Sequence, residues 1–412
     1  MSIDIATTAP KPPRVNLRRP DIMEAVREQV ELHYRSQIVE KLRGRGGVLE
    51  AGGLKVRLAK EFGFCYGVER AIDLAYAARK VFPAQPIYIL GEIIHNPEVN
   101  EQLITMDIKF LTGPIKSADI DDLRENDVVI IPAFGAEVAT MNKLKSKGCQ
   151  LVDTTCGDVM SVWKRVTQNV KEQFTSIIHG KAKHEETMAT SSRATATQGG
   201  HYLVVLNLPE TDYVCSYIRH GGSKDEFLTK FAGSHSPGFD PDRDLTSVGV
   251  ANQTTMLRSE TEEIQRRLRQ AMIDKFSAET VDQHYRMFDT ICGATQERQD
   301  ALIKLLAEPL DIMIVVGGYN SSNTTHLAEM SEERVPCYFI RNRSKILSEN
   351  AILHFDLHKQ EEVLTENWLP AGPVYLGITA GASCPNNIID DTVRRLFELR
   401  GVNVDELIAT GA

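Results

Sequence analysis

Cysteine is scarce in this chain and never arranged as Cys-x-x-Cys. Its 412 residues hold seven: Cys65, Cys149, Cys156, Cys215, Cys292, Cys337 and Cys384. The missing pair excludes a zinc ribbon or a thioredoxin-like site. An odd count in a long chain argues against a disulfide framework and for reduced thiols. A basic excess is also missing: Lys and Arg number 47 against 56 Asp and Glu, a formal charge of −9, which argues against a nucleic-acid partner. No apolar run reaches membrane-spanning length, so no membrane association is expected. The N-terminal "MSIDIATTAPKPPRVNLRRP" has no secretory apolar core. Being mildly basic and Pro-rich, it reads as a disordered tail of a cytoplasmic protein, with a plastid-type targeting peptide as the alternative. No Walker loop is present, so any bound phosphate is not that of a P-loop nucleotide.

What is present is a threefold repeat. "DTTCG" at 153–157 returns as "DTICG" at 289–293. After Cys156, "VMSVWKRVTQNVKEQF" places Val159, Val162, Trp163, Val166 and Val170 on one helical face. The strand-like "TSIIHG" follows, ending in the polar "KAKHEET". After Cys292 come the helical "ATQERQDALIKLLAE", the apolar "DIMIVVGG" and the polar "YNSSNTTH". Cys65 heads a third copy through "VERAIDLAYAARKVF", "PIYILGEII" and "HNPE". The interval from cysteine to the first key polar residue of each tip is 30 for His95, 28 for His184 and 28 for Asn320. Each copy adds a second strand ending in small or hydroxyl residues: "DVVIIPAFGA", "SVGVANQTTM" and "PVYLGITAGAS".

Alternating strands and helices predict an α/β chain built from small parallel sheets with flanking helices. Ligands of such sheets bind beyond the carboxyl ends of the strands. Three units would therefore gather three cysteines and six polar tips around one centre. The expected boundaries are an N-terminal extension over 1–53, units over 54–152, 153–288 and 289–412, and an insertion near 220–245 in the second. Cys149, Cys215 and Cys337 break the offset and read as packing residues. Cys384 only neighbours a tip.

Three thiolates from separate units suit zinc or an iron–sulfur cluster. In a cubane cluster they leave one iron without a protein ligand, able to act as a Lewis acid while the cluster supplies electrons. The tips suit a phosphate. Ser321, Ser322 and Asn323 open one helix and Ser383 another, and helix N-termini bind anions through free N–H groups. Thr254 and Thr255 add hydroxyls, and His95 and His184 can donate to phosphate oxygens. Glu186, two residues after His184 at a strand tip, is the expected proton donor.

Eight motifs in order, "GFCYGVERA", "EIIHNP", "DTTC", "HGKAKHEET", "NQTT", "DTICGATQERQ", "NSSN" and "TAGAS", resemble the 4-hydroxy-3-methylbut-2-enyl diphosphate reductase family from about residue 57 to 398. The resemblance implies three pseudo-symmetric α/β domains around one [4Fe-4S] cluster per chain. It also implies a two-electron, two-proton reductive dehydroxylation giving isopentenyl and dimethylallyl diphosphate, the last step of the methylerythritol phosphate route. Cys65, Cys156 and Cys292 match the family's cluster ligands. His95, His184, Ser321, Ser322, Asn323 and Ser383 match its diphosphate contacts, with Thr254 beside them. Glu186 matches the proton-relay carboxylate and Thr255 the hydroxyl beside the substrate alcohol. Two positions depart from many bacterial members, which carry His where this chain has Phe134 and Pro where it has Gly157. The Phe form resembles the cyanobacterial and plant branch, and implies a ferredoxin or flavodoxin as electron donor. So does the extension, where Ile22, Val26, Val30, Ile38 and Leu42 suggest an amphipathic helix. The residues alone leave two rivals: a zinc-dependent hydrolase of a phosphorylated metabolite, and a non-catalytic iron–sulfur sensor of a phosphorylated ligand.

The repeat makes a direct prediction. Cys65→Ser, Cys156→Ser and Cys292→Ser should each damage cluster assembly, because a hydroxyl replaces a soft thiolate. Cys149→Ser, Cys215→Ser and Cys337→Ser should leave iron content normal. Iron and sulfide analysis after anaerobic purification checks both sets, and cluster loss in the second would mean the repeat is misassigned.

Overall fold

Short runs of β-branched and other apolar residues make the central strands, and they are buried on both faces as parallel strands are. Val128–Ile131, Thr175–His179 and Ile312–Val316 are buried at every position. The computed structural model describes residues 17–409. It contains three sheets, and each holds the same four-stranded parallel core. In spatial order the first is Ile108–Phe110, Ile87–Ile89, Val128–Ile131 and Gln150–Asp153. The second is Tyr202–Val205, Thr175–His179, Val248–Asn252 and Tyr285–Met287. The third core is Cys337–Ile340, Ile312–Val316, Val374–Ala380 and Leu54–Leu58.

The last strand of the third core is therefore the first strand of the repeat region. Leu54–Leu58, grouped with the first unit by sequence spacing, instead pairs in parallel with Val374–Ala380, with Val56 opposite Leu376. Pairing buries Leu54, Val56 and Leu58 in the third unit's core. Each cysteine consequently follows the last strand of one parallel core and opens the helix of the next unit: Tyr66–Val81 after Cys65, Gly157–Lys171 after Cys156, and Gly293–Leu306 after Cys292. The three crossings between units are the three cysteine positions.

The extension forms two helices rather than one. Pro20–Tyr34 lays Ile22, Val26 and Tyr34 on the first unit's core, beside Ile72 and Tyr76. Gln37–Gly44 lays Ile38, Val39 and Leu42 on the third. The break lies at Arg35–Ser36, where Ser36 caps the second helix through the amide of Val39 (3.1 Å). Its hydroxyl also donates to Asp390 of the third unit (2.7 Å). An N-cap is extended backbone, so a capping serine interrupts a continuous helix. Residues 1–16 of the Pro-rich tail lie outside the described residues.

The insertion covers a sheet edge. Phe227, Phe231 and Phe239 are buried in the second unit's core. The backbone at Ser234 and Ser236 bonds the outer strand Tyr202–Val205 through Val204 N–H to Ser234 O (2.7 Å) and Ser236 N–H to Tyr202 O (3.0 Å). An exposed edge strand is a template for unwanted pairing, and a covering loop removes it.

Gly135 joins the first two units at the tip that carries Phe134. Its φ is +82°, and a Cβ there would lie 2.3 Å from the Trp163 ring of the second unit's helix. Arg193 stacks on that ring at 3.9 Å, so the indole has little room to retreat. Gly135→Ala should therefore destabilise the protein by roughly 1–3 kcal/mol, from positive φ and overpacking together. The shift in urea midpoint with unchanged slope measures it.

Candidate active site

Helix N-termini build the site. Cys65, Cys156 and Cys292 are each the N-cap of their helix, all in extended backbone conformation. All three are half-buried, whereas Cys149, Cys215 and Cys384 are buried. The three line one cavity of about 660 Å³, which none of the other four cysteines lines. Cys65 and Cys156 approach across Gly67, where a Cβ would lie 2.6 Å from Cys156 Sγ and 3.9 Å from Cys65 Sγ. Thr295 N–H donates to Cys292 Sγ (3.3 Å). Burial pushes the Cys292 thiol up to about 12 and raises that of Cys156. Thiols so placed would ionise only beside a cation, and a bound soft metal supplies that charge. The donor set thus fits a thiolate-bound metal group with room left on one side.

Another part of the cavity lining is made by three more helix starts. His95 precedes Asn96, the N-cap of Pro97–Thr105. His184 caps Glu185–Thr195, and Ser321 caps Ser322–Glu332. Here buried polar atoms lack partners: His95 Nε2, Ser322 Oγ and Asn323 Nδ2. Unsatisfied buried polar atoms are costly, and several in one cavity mark a ligand's place. Ser383 Oγ donates to the His95 carbonyl (3.2 Å) and lies 3.3 Å from Ser321 Oγ, joining the third unit's tips to the first's. Asn323 Oδ1 accepts from Ala382 N–H (2.9 Å), which turns its amide nitrogen free.

The histidines are set differently. His184 Nδ1 accepts the Glu186 amide (3.1 Å), so the neutral ring carries its proton on Nε2. Burial, then the neighbouring His95, pushes His184 down to about 3 and keeps it neutral. His95, His184 and Glu185 could bring three ligand atoms within 4.8 Å of one another. That tautomer points a proton, not a lone pair, at such a centre, which disfavours a zinc ion there. Phe134 stacks on His95 at 4.7 Å and 11°, and meets His184 edge-on at 6.3 Å. A ring at this tip packs the histidines rather than adding a donor.

Glu186 lines the same cavity and is 3% exposed. Thr254 donates to it twice, by its amide to Oε1 (2.6 Å) and by its hydroxyl to Oε2 (2.9 Å). Burial raises the carboxyl to about 7, outweighing the Thr254 bonds, which favour the ionised form. The adjacent Thr255 does not hold this carboxylate. It lines the cavity, but its hydroxyl accepts from Gln253 (2.9 Å) and its carbonyl bonds His326 (2.8 Å). Of the two threonines it is Thr254 whose hydroxyl faces the acid, because the strand ending at Asn252 turns between them.

Three further residues lie within the quoted motifs but are assigned no role there. Arg298, 4% exposed, donates to the Gly63 carbonyl (3.2 and 2.5 Å) and to Ala294 O (2.9 Å). It ties the loop before Cys65 to the helix begun by Cys292. Glu92 and Asn320 bond each other across the first and third units (2.7 Å). Asn320 had a signal in its matched interval, and Glu92 only in its place three residues before His95.

Residues 56–397 match the family described as LytB protein. Curated relatives include 4-hydroxy-3-methylbut-2-enyl diphosphate reductases of cyanobacterial type. That of Thermosynechococcus vestitus is 50% identical over 380 residues, covering 92% of this chain and 93% of the relative. That of Gloeobacter violaceus is 48% identical over 392 residues, 94% and 92% of the two chains. A solved (E)-4-hydroxy-3-methyl-but-2-enyl diphosphate reductase is 27% identical with a TM-score of 0.52, covering 83% of this chain and 99% of that one. The Plasmodium falciparum reductase has a TM-score of 0.59 at 24% identity, covering 82% and 86%, and supports the fold alone.

A carboxyl raised to about 7 should be visible directly. Infrared difference spectra across pH should show a protonated-carboxyl C=O band that disappears as pH rises through about 7. The band should be absent at every pH in Glu186→Gln. A band surviving in that variant would belong to another acid.

Proposed function

This chain belongs to the LytB protein family of reductases, and from that premise we propose how its own residues perform the reaction. The chain is a 4-hydroxy-3-methylbut-2-enyl diphosphate reductase in activity. It removes the substrate's hydroxyl as water and adds two electrons and two protons, giving isopentenyl and dimethylallyl diphosphate. The observation that carries the residue assignment is one cavity lined by three N-cap cysteines, unpaired buried polar atoms and Glu186.

Cys65, Cys156 and Cys292 would hold a [4Fe-4S] cluster, one per chain. When bound, that cluster supplies the electrons and one iron without a protein ligand. His184, Ser322 and Asn323 donate to the diphosphate, helped by the positive ends of the helices they open. Ser321 and Ser383 brace that wall from the third unit. Held there, the substrate's allylic end points towards the thiols and its alcohol towards Glu186 and Thr254. Breaking the C–O bond needs a proton on the leaving oxygen, and the reduced allyl fragment needs another. Glu186, protonated below about pH 7, holds the proton nearest both. Thr254 keeps the carboxyl oriented, and Thr255 stands one residue further along the same wall. A ferredoxin or flavodoxin in the cytoplasm completes the reading as electron donor, in keeping with the cyanobacterial relatives.

Anaerobic purification followed by assay with the allylic diphosphate alcohol tests the whole reading. About four irons and sulfides per chain with turnover under a one-electron reductant are expected. Zinc in colourless protein, or a cluster without turnover, would support the hydrolase or the sensor instead.

Glutamine at the acid position isolates the proton. Glu186→Gln should lower kcat by roughly 10²–10⁴ while visible absorption and iron content stay unchanged. In the wild type the acid form is the active one, so kcat should fall as pH rises through about 7. The variant's residual rate should lack that step.

A further inference from the structure

His95 and His184 lie 5.1 Å apart in the same pocket, yet their hydrogen bonds fix opposite tautomers. His184 accepts at Nδ1, so its neutral ring already presents an Nε2–H. His95 Nδ1 instead faces the Glu92 carboxylate at 2.9 Å. A carboxylate accepts only, so Nδ1 carries the proton and the neutral ring presents a bare lone pair at Nε2. That nitrogen is buried and makes no hydrogen bond, with the half-exposed Glu185 carboxylate 3.5 Å away. A lone pair repels a phosphate oxygen. His95 can hold a diphosphate only when a second proton sits on the Nε2–oxygen axis.

Glu92 is built to keep this arrangement. Its side chain is 12% exposed. Oε2 accepts from Asn320 (2.7 Å) as well as from His95, and Oε1 accepts from Asn100 (3.2 Å). Asn320 comes from the third unit, at the tip of Ile312–Val316. The same tip closes on the His95 backbone at Gly318, where a Cβ would lie 2.4 Å from the His95 carbonyl oxygen. The other charged groups facing His95 are Glu185, 3.5 Å from Nε2 and half exposed, His184 on the adjoining helix start, and Glu186 deeper in the cavity. Phe134 covers the remaining face with an apolar ring. Glu185 stands where an anion would enter and can swing out to solvent. Glu92 cannot, and its charge stays to balance an imidazolium.

We propose that Glu92, clamped from the third unit by Asn320, is a positioning residue that makes diphosphate capture by His95 take up a proton. The proposal rests on the reading of this pocket as the diphosphate site. The proton comes from solvent, ends on the axis between His95 Nε2 and a phosphate oxygen, and leaves with the product. His184 needs none, so one histidine is a standing donor and the other a donor made by the ligand.

Calorimetry of the anaerobic holoenzyme with dimethylallyl diphosphate tests this, run near pH 8 in buffers of different ionisation enthalpy. At that pH a free imidazole is mostly neutral. The wild type should take up a substantial fraction of one proton on binding. Glu92→Gln should bind about 10–100-fold more weakly, the size of one charge-assisted hydrogen bond. Its proton uptake should be clearly smaller, and Glu92→Asp should restore part of it. Asn320→Ala, an exposed position, should give an intermediate loss and serves where Glu92→Gln does not retain its cluster. Equal proton uptake in the wild type and these variants would overturn the proposal while leaving the diphosphate site intact. No binding by the wild type would overturn the functional reading itself.

Discussion

Unpaired N–H groups at the starts of helices are the constraint on which this molecule depends. The first turn of any helix leaves donors without partners. Here six helix starts converge on one cavity, three opened by cysteine and three at or beside His95, His184 and Ser321. In a chain carrying a net −9, the positive ends of these helices favour an anion in that cavity. At Cys292 the N-cap sulfur accepts an amide of its helix, which partly offsets the burial that raises its thiol. A serine or histidine there offers hydroxyl or ring N–H to an anion. One backbone device, repeated with different caps, makes both halves of the site.

The same geometry explains why the acid works where it does. Glu186 lies in the first turn of a helix whose cap is His184. The dipole and Thr254 favour its ionised form, and burial opposes both. The balance falls near neutral pH, where an acid can both give and regain a proton. A more exposed carboxyl would stay ionised, and one without Thr254 would stay protonated. Phe134 contributes by exclusion: stacked on His95, it leaves that ring's Nε2 and not its face to meet a ligand.

Closure of the three units depends on one exchange. Leu54–Leu58 completes the third sheet, so the chain runs from that sheet into the first unit's helix as it later runs from first to second and from second to third. The extension's two helices then bridge the first and third cores. Without that strand the third sheet core would lack its fourth member, and Cys65 would lose the crossing that places it.

Much of the site was legible along the chain because helix and strand lengths repeat. Matched intervals were enough to pick Cys65, Cys156 and Cys292 from seven cysteines and to place His95, His184, Glu186 and Ser321 at strand tips. Spacing counts residues along one unit, and it was silent wherever two units meet. It could not assign Leu54–Leu58 to a sheet formed more than 300 residues later. It could not tell that the extension breaks at Ser36, whose second partner is Asp390. It could not tell which of Thr254 and Thr255 meets Glu186, which depends on which side of a turn faces a carboxylate from another helix. Glu92 and Asn320 lie 228 positions apart and acquire a role only when their tips touch. The sequence by itself determined the repeat, its caps and hence the kind of chemistry. Tertiary structure alone decided which donor meets which acceptor, because a hydrogen bond needs ångström proximity, and packing sets that between segments with no fixed separation in sequence.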